Sequence, residues 1–329
     1  MSAPNDRILA TTKVRAFARA LGFDAVGIAR ADEPLTVDFE RYEAFLDAGY
    51  HGTMGYLADA REARARLDED TILRGAKSVV CLAARYTREN EAEDAPLPKL
   101  VARYARGLDY HGFVSRKTRK LAAFLRRLGT SEHPVEARPM CDTAPVLERA
   151  WAAKSGLGFV GKNGMLIVPG QGSFVMLGEV VTTLELEPDQ PIAERCGSCT
   201  RCLDACPTQA FPAPFILDAR KCISYWTIER EGPIPESMHA PIGEHLFGCD
   251  DCQTVCPFNT AKRKDSSFSP RFEPRPELRD ATLEDCLDTA SNDARIGSGP
   301  MKRVGAEGLA RNAAIVLENQ RRKRSGIAE

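Results

Sequence analysis

No uninterrupted apolar run in this sequence approaches the roughly 18 residues that a membrane span requires; Val79-Val80-Cys81-Leu82-Ala83-Ala84 is among the longest. A transmembrane helix is excluded. The N-terminal stretch lacks the apolar segment and small-residue cleavage site of a secretory signal and carries Asp6, Arg7, Lys13, Arg15 and Arg19 instead. A cytoplasmic protein is expected. Charge of one sign is not in excess either: the net charge is −1, so any attraction to a polyanion must come from local patches. Also missing are repeats with a period of about 20 to 50 residues, the G-x-G-x-x-G of a dinucleotide site and the G-x-x-x-x-G-K-[ST] of a nucleotide-hydrolysing loop. No C-x3-C-x2-C triad occurs, so single-cluster radical chemistry with S-adenosylmethionine is not indicated.

What is there is an ordinary globular composition, 43% hydrophobic and 28% charged over 329 residues, enough for about two domains. Apolar residues at mostly helical spacing from Ile8 to Leu21, with Gly22 after them, predict an opening helix. Phe23 to Ala29 and Ser78 to Ala84 read as buried strands, with a helix over Phe39 to Ala48 between them, an alternation that favours an α/β layer. Asp109 to Leu128 predicts a basic amphipathic helix with Leu121, Phe124, Leu125 and Leu128 inward. Val135 to Pro139 is a further strand, Pro145 to Ser155 a helix, and Gly164 to Leu186 a β-hairpin. Met301 to Arg324 reads as one or two short helices with Leu309, Ile315 and Leu317 inward. Two stretches are strongly basic, Arg103 to Arg127 and Lys302 to Arg324. Each reads either as a solvated helix face or as a polyanion surface.

After Pro188 the composition changes, and eight of the eleven cysteines fall between Cys196 and Cys256. Cys196-Gly-Ser-Cys199-Thr-Arg-Cys202-Leu-Asp-Ala-Cys206-Pro207 has the C-x2-C-x2-C-x3-C-P spacing of bacterial ferredoxins. In that arrangement three thiolates hold one [4Fe–4S] cube and the fourth ligates a neighbouring cube. Cys249-Asp-Asp-Cys252-Gln-Thr-Val-Cys256-Pro257 is the partner half without its leading cysteine, a corner that Cys222 can fill. One cluster is then assigned to Cys196, Cys199, Cys202 and Cys256, the other to Cys206, Cys222, Cys249 and Cys252. Disulfides fit poorly with the absent signal segment, and zinc sites need neither the crossing cysteine nor its proline. Cys81, Cys141 and Cys286 lie outside the pattern and read as small buried hydrophobes.

A pair of clusters makes a one-electron relay that needs an acceptor. The first 190 residues offer two features of interest. Gly158-Phe-Val-Gly161-Lys162-Asn163-Gly164 is a glycine-rich loop, read as a tight turn or a ligand contact. Asp142 follows a predicted strand and precedes the helix from Pro145, so it is an N-cap or a proton donor. His111 reads as a packed or capping histidine.

Met140-Cys141-Asp142-Thr143, Gly158-Phe159-Val160-Gly161-Lys162-Asn163, Leu177-Gly178-Glu179, the ferredoxin run, Cys222-Ile223-Ser224-Tyr225-Trp226 and Phe247-Gly248-Cys249-Asp250-Asp251-Cys252 resemble the epoxyqueuosine reductase family in order and spacing. Tyr104-Ala105-Arg106-Gly107, Asp109-Tyr110-His111 and Arg311-Asn312-Ala313-Ala314 extend the resemblance over nearly the whole chain. It implies an α/β cobalamin-binding domain over 1–190, a ferredoxin-like domain with two [4Fe–4S] clusters over 191–265, and a short basic helical segment over 266–329. The implied reaction reduces the epoxide of epoxyqueuosine in a tRNA anticodon loop, the last step of queuosine formation. Asp142 aligns with the family's proton donor, and the cobalamin contacts carry over to Arg66, Ala105, Asp142, Lys162 and Asn163. The resemblance further implies an external electron donor, a monomer, and tRNA phosphates near Arg116, Lys117, Arg119 and Lys120 and near Arg303, Arg311 and Arg321. Two other readings compete: an electron-carrying module without a substrate of its own, and a cobalamin reductase of small molecules.

Overall fold

The computed structural model of the chain describes residues 4–87, 96–260, 269–297 and 299–326. Helix α1, Pro4–Ala20, stops where Gly22 takes φ +82°, a left-handed conformation that costs glycine nothing in steric clash. Strand β1, Ala25–Arg30, leads to α2, Thr36–Asp47, and the short α3, Arg61–Ala65. Strand β2, Ser78–Arg85, is buried at every position, as its run of small and apolar side chains demands of a central strand. Then come α4, Pro96–Lys99; α5, Tyr110–Arg126; β3, Ala137–Met140; α6, Glu148–Lys154; β4, Phe159–Val160; β5, Leu166–Ile167; and β6, Val175–Thr182.

The main sheet runs β1-β2-β6-β3, and every pairing in it is antiparallel. The mixed helix and sheet architecture matches expectation, but the strand direction does not follow from alternation along the chain. Strand β6 arrives late and inserts between β2 and β3. The rule that parallel sheets bind ligands at strand carboxyl ends therefore does not locate a site here. Helices α1 and α5 cover one face through Val14, Phe23, Val80, Leu121, Leu125 and Val180. Helix α6 covers the other, with Trp151 packed on Val79, Cys81, Met140 and Val181.

The expected hairpin over 164–186 is not formed. Leu166 and Ile167 turn back to pair with Phe159 and Val160, while Val175 to Thr182 joins the main sheet. The glycines at 161 and 164 close the first turn, and the Val168 to Gly172 turn separates the two strands.

Beyond Pro188 the regular elements are short: α7, Arg201–Asp204; a π-helical turn at Tyr225–Glu229; α8, Glu236–Ile242; α9, Asp251–Thr254; and α10, Pro257–Thr260. Helices α11, Pro276–Arg279, and α12, Thr289–Ile296, precede α13, Gly305–Arg324, a single helix that buries Leu309, Ile315 and Leu317 as expected. Buried Asn312 on α13 donates to the Thr227 and Leu246 carbonyls at 2.9 Å each. Leu97, Val101 and Ala105 share one core with Leu246, Phe247, Leu278, Leu309 and Val316. Three stretches distant in sequence are thus welded together. The expected boundary near residue 265 lies outside the described residues. No helix among them is long and apolar enough to cross a membrane.

Candidate active site

Strand β3 ends at Met140 and the chain turns tightly before α6. Pro145 disfavours helical backbone at Ala144, and the Thr143 and Val146 N–H groups donate two residues back, at 2.6 and 2.7 Å. The helix consequently begins at Glu148 rather than Pro145, with Leu147 at its cap position. Asp142 is not an N-cap. It stands in this turn at φ +58°, where an L residue is strained by about 1–2 kcal/mol.

Its carboxylate faces α5. Asp109 caps that helix by accepting from the His111 N–H at 2.9 Å. The His111 ring then bridges two acids, with Nδ1 2.7 Å from Asp109 Oδ1 and Nε2 2.8 Å from Asp142 Oδ2. Its hydrogen bond to Asp142, aided by Asp109, pushes the imidazole pKa up to about 9. The same bond holds the Asp142 carboxyl below its usual range. At neutral pH the group is an imidazolium between two carboxylates. Both side chains remain open to solvent, at 36% and 53% exposure, so the proton they share can be replenished. The sequence reading passed over this role; an acid two residues before a histidine at a helix start was the available signal.

The ring of His111 stacks on Tyr110 at 4.2 Å, Tyr110 meets Tyr104 at 6.2 Å, and Tyr104 meets Phe247 at 6.2 Å. Phe247 lies two residues before Cys249. A packed aromatic path therefore joins the acid site to the cysteine module.

All eight cysteines of that module are free. The thiols of Cys196 and Cys202 lie within electrostatic reach of Cys256, and Cys202 within reach of Cys199. Likewise Cys222 is close to Cys206, and Cys252 to both. The fold brings Cys256 back to the first run and Cys222 to the second half. Cys249 lies against His245 and Asp251.

Lys162 and Asn163 reach the same module. Lys162 Nζ donates to the Gly197 and Cys199 carbonyls at 2.6 and 3.1 Å, and Asn163 Nδ2 to the Cys252 carbonyl at 3.1 Å. Both side chains are joints between the sheet domain and the cysteine loops. Asn259, Ser173 and Gln253 form another joint, in which Asn259 Nδ2 donates to Ser173 Oγ at 2.9 Å. Ala105 is fully buried in the third core. Arg66 is held by Asp68 through bonds of 3.0 and 2.8 Å. It also lies within electrostatic reach of Glu69 and Asp32.

The basic stretches divide. Arg116, Arg119 and Lys120 are exposed on α5, and Arg321 on α13. Lys117 folds over Phe113 with Nζ 3.8 Å from the ring centre, and burial lowers its pKa to about 8. Arg303 is paired with Glu229 at 2.7 Å. Arg311 donates to the carbonyls of Trp226, Arg230 and Gly232. Lys117 and Arg311 thereby serve the fold, whereas Arg303 stays exposed and within electrostatic reach of Asp142.

Comparison with known proteins matches residues 195–259 to a family model described as a 4Fe-4S double cluster binding domain, and residues 66–143 to one described as Epoxyqueuosine reductase QueG, DUF1730. The epoxyqueuosine reductase of Gloeobacter violaceus is 41% identical over 93% of this chain and 95% of its own length. The chain belongs to the epoxyqueuosine reductase family. The Escherichia coli epoxyqueuosine reductase is 37% identical over 97% of this chain and 83% of its own. A crystal structure of selenomethionine-labelled epoxyqueuosine reductase superposes with a TM-score of 0.84 at 33% identity, covering 94% of this chain and 81% of that one. An epoxyqueuosine reductase solved with a tRNA-Tyr epoxyqueuosine-modified stem loop gives 0.82 at 33% identity, covering 94% and 80%.

Proposed function

We propose that this protein reduces the epoxide of epoxyqueuosine in a tRNA anticodon loop to the alkene of queuosine, using two [4Fe–4S] clusters and bound cobalamin. The observation that carries the reading is the Asp109–His111–Asp142 chain, joined by packed aromatic rings to a module of eight free cysteines. Near full-length similarity to proteins of that name supports it, as does a relative solved with a modified tRNA stem loop.

The donor set fits two clusters: Cys196, Cys199, Cys202 and Cys256 would hold one, and Cys206, Cys222, Cys249 and Cys252 the other. Cobalamin would sit beside this acid site, where both nitrogens of His111 are committed to carboxylates and the ring serves proton delivery. Arg66, Ala105, Asp142, Lys162 and Asn163 are the proposed contacts, with Ala105, Lys162 and Asn163 acting through the framework they brace. When bound, cobalamin supplies the two-electron reductant.

The overall reaction takes the epoxide, two electrons and two protons to an alkene and water, and both protons end on the departing oxygen. Asp142 delivers them. In the resting arrangement its proton resides on His111, so the imidazolium loads the carboxyl, which passes the proton to oxygen as the C–O bond breaks. Asp109 keeps the ring charged and oriented. Since one carboxyl yields one proton at a time, reloading from solvent through His111 is required between the two C–O scissions.

Along the chain we assign 1–190 to the cobalamin and catalytic domain, 191–265 to the ferredoxin-like domain and 266–329 to a basic helical end. Phosphates of the tRNA would meet exposed Arg116, Arg119, Lys120, Arg303 and Arg321. The protein acts as a cytoplasmic monomer supplied by an external electron donor. The test is anaerobic incubation with cobalamin, a low-potential reductant and tRNA carrying epoxyqueuosine, followed by nucleoside mass analysis. Conversion to queuosine is expected. Protein that carries both cofactors yet leaves the epoxide intact would overturn the reading.

A further inference from the structure

Beneath the Asp142 turn lies a pair of acids that this mechanism leaves unused. Glu179 stands in mid-strand on β6, opposite Cys81 of β2 and Met140 of β3. It is fully buried, and neither carboxyl oxygen receives a hydrogen bond from any donor among the described residues. Leu177 and Val181, which share its face of the strand, belong to the apolar core with Cys81, Ala83 and Trp151. The group that meets Glu179 is Glu148, the first residue of α6, whose carboxyl interacts directly with it. Glu148 Oε1 in turn accepts the backbone N–H of Asp142 at 2.7 Å.

Two carboxylates in contact, one half-buried at the start of α6 and the other sealed in the apolar core, do not both stay ionised. Burial raises the pKa of both acids, that of Glu179 well above its ordinary value. A neutral Glu179 requires an acceptor for its O–H, because an unmet buried donor is costly. The Glu148 carboxyl is the acceptor at hand. An ionised Glu148 is also the stronger partner for the Asp142 N–H, since charge-assisted hydrogen bonds are about twice as strong as neutral ones. That N–H belongs to a residue held at φ +58°, so the backbone there needs a tether.

We infer that Glu179 and Glu148 share a single proton, and that the charge this leaves on Glu148 holds the Asp142 turn in place, making Glu148 a positioning residue for the proton donor. The inference rests on the proposed role of Asp142, and two of its three readouts are independent of that role.

The test compares the full chain with its E148A, E148Q and E179Q variants. Amide hydrogen exchange at Asp142 accelerates about tenfold or more in E148A, while β6 amides keep their protection. In E148Q the side-chain carbonyl still accepts but carries no charge, so exchange at Asp142 falls between that of the wild type and that of E148A. Infrared spectra at neutral pH show the C=O band of a neutral carboxylic acid in the wild type, and E179Q abolishes it. Reductase kcat falls about tenfold in E148A with KM for the tRNA unchanged, and E148Q and E179Q stay within about threefold. If E148A does not fold, the infrared arm with E179Q decides alone. Unchanged Asp142 exchange in E148A overturns the tether, and a neutral-acid band that survives E179Q overturns the shared proton. Faster exchange with full turnover would uphold the tether and refute Asp142 as proton donor.

Discussion

Replacing Asp142 by Asn removes the charge that His111 Nε2 faces and keeps the side chain's size. The pKa of His111 stands at about 9 against an ordinary 6.5, with the Asp142 hydrogen bond as the largest cause. That gap corresponds to about 3 kcal/mol of preference for the imidazolium. With the two side chains 36% and 53% exposed, solvent screening reduces the stability at stake to about 1 kcal/mol. The sign follows from a raised pKa: the contribution is complete below pH 6.5 and is lost as pH climbs through about 9. In D142N the imidazole, observed by NMR, titrates at least about one pH unit lower than in the wild type, because Asp109 alone supports its charge. Epoxide reduction at neutral pH falls by about 10²- to 10⁴-fold, the usual worth of a general acid, with iron content unchanged. A histidine that titrates at the same pH in both proteins would refute the bridging geometry. Normal turnover by D142N would remove Asp142 from the mechanism.

His111→Gln keeps a hydrogen-bonding side chain but cannot carry the proton. The wild-type decline in kcat as pH rises through about 9 is absent from this variant, whose rate is lower throughout; persistence of that limb would assign it elsewhere. Cys256→Ala, assayed for iron after anaerobic reconstitution, drops from about eight to about four irons per chain, since Cys256 completes the first cube. Retention of all eight would break the crossed ligand assignment. Gly178→Ala places a Cβ 2.6 Å from Val114 Cγ1 and 3.1 Å from Thr118 Cγ2 on α5. Overpacking of this kind costs about 1–3 kcal/mol, read as a lowered Tm. An unshifted Tm would contradict the close seating of α5 on β6.

Much of the candidate site was legible from local pattern. The cysteine spacing announced a two-cluster module because cluster geometry is imposed by neighbours two and three residues apart. The extent of α5 followed from its apolar stripe and from Asp109 at its start. Glu179 carried a signal too, an acid inside an apolar strand, but only burial turns that anomaly into a question of protonation.

What the sequence by itself determined is therefore local: helix spans, buried strands and the cysteine rhythm, all set by periods of a few residues. Which strands pair, and in which direction, was decided by β6 inserting between β2 and β3, an arrangement of residues nearly 100 positions apart. The same holds for the Asp142–His111 bridge, the docking of Lys162 and Asn163 onto cysteine-loop carbonyls, and the diversion of Arg311 from solvent to the backbone of the 226–232 segment. A charged side chain's destination depends on which buried carbonyls and carboxylates the finished fold leaves unpaired, and no linear period encodes that.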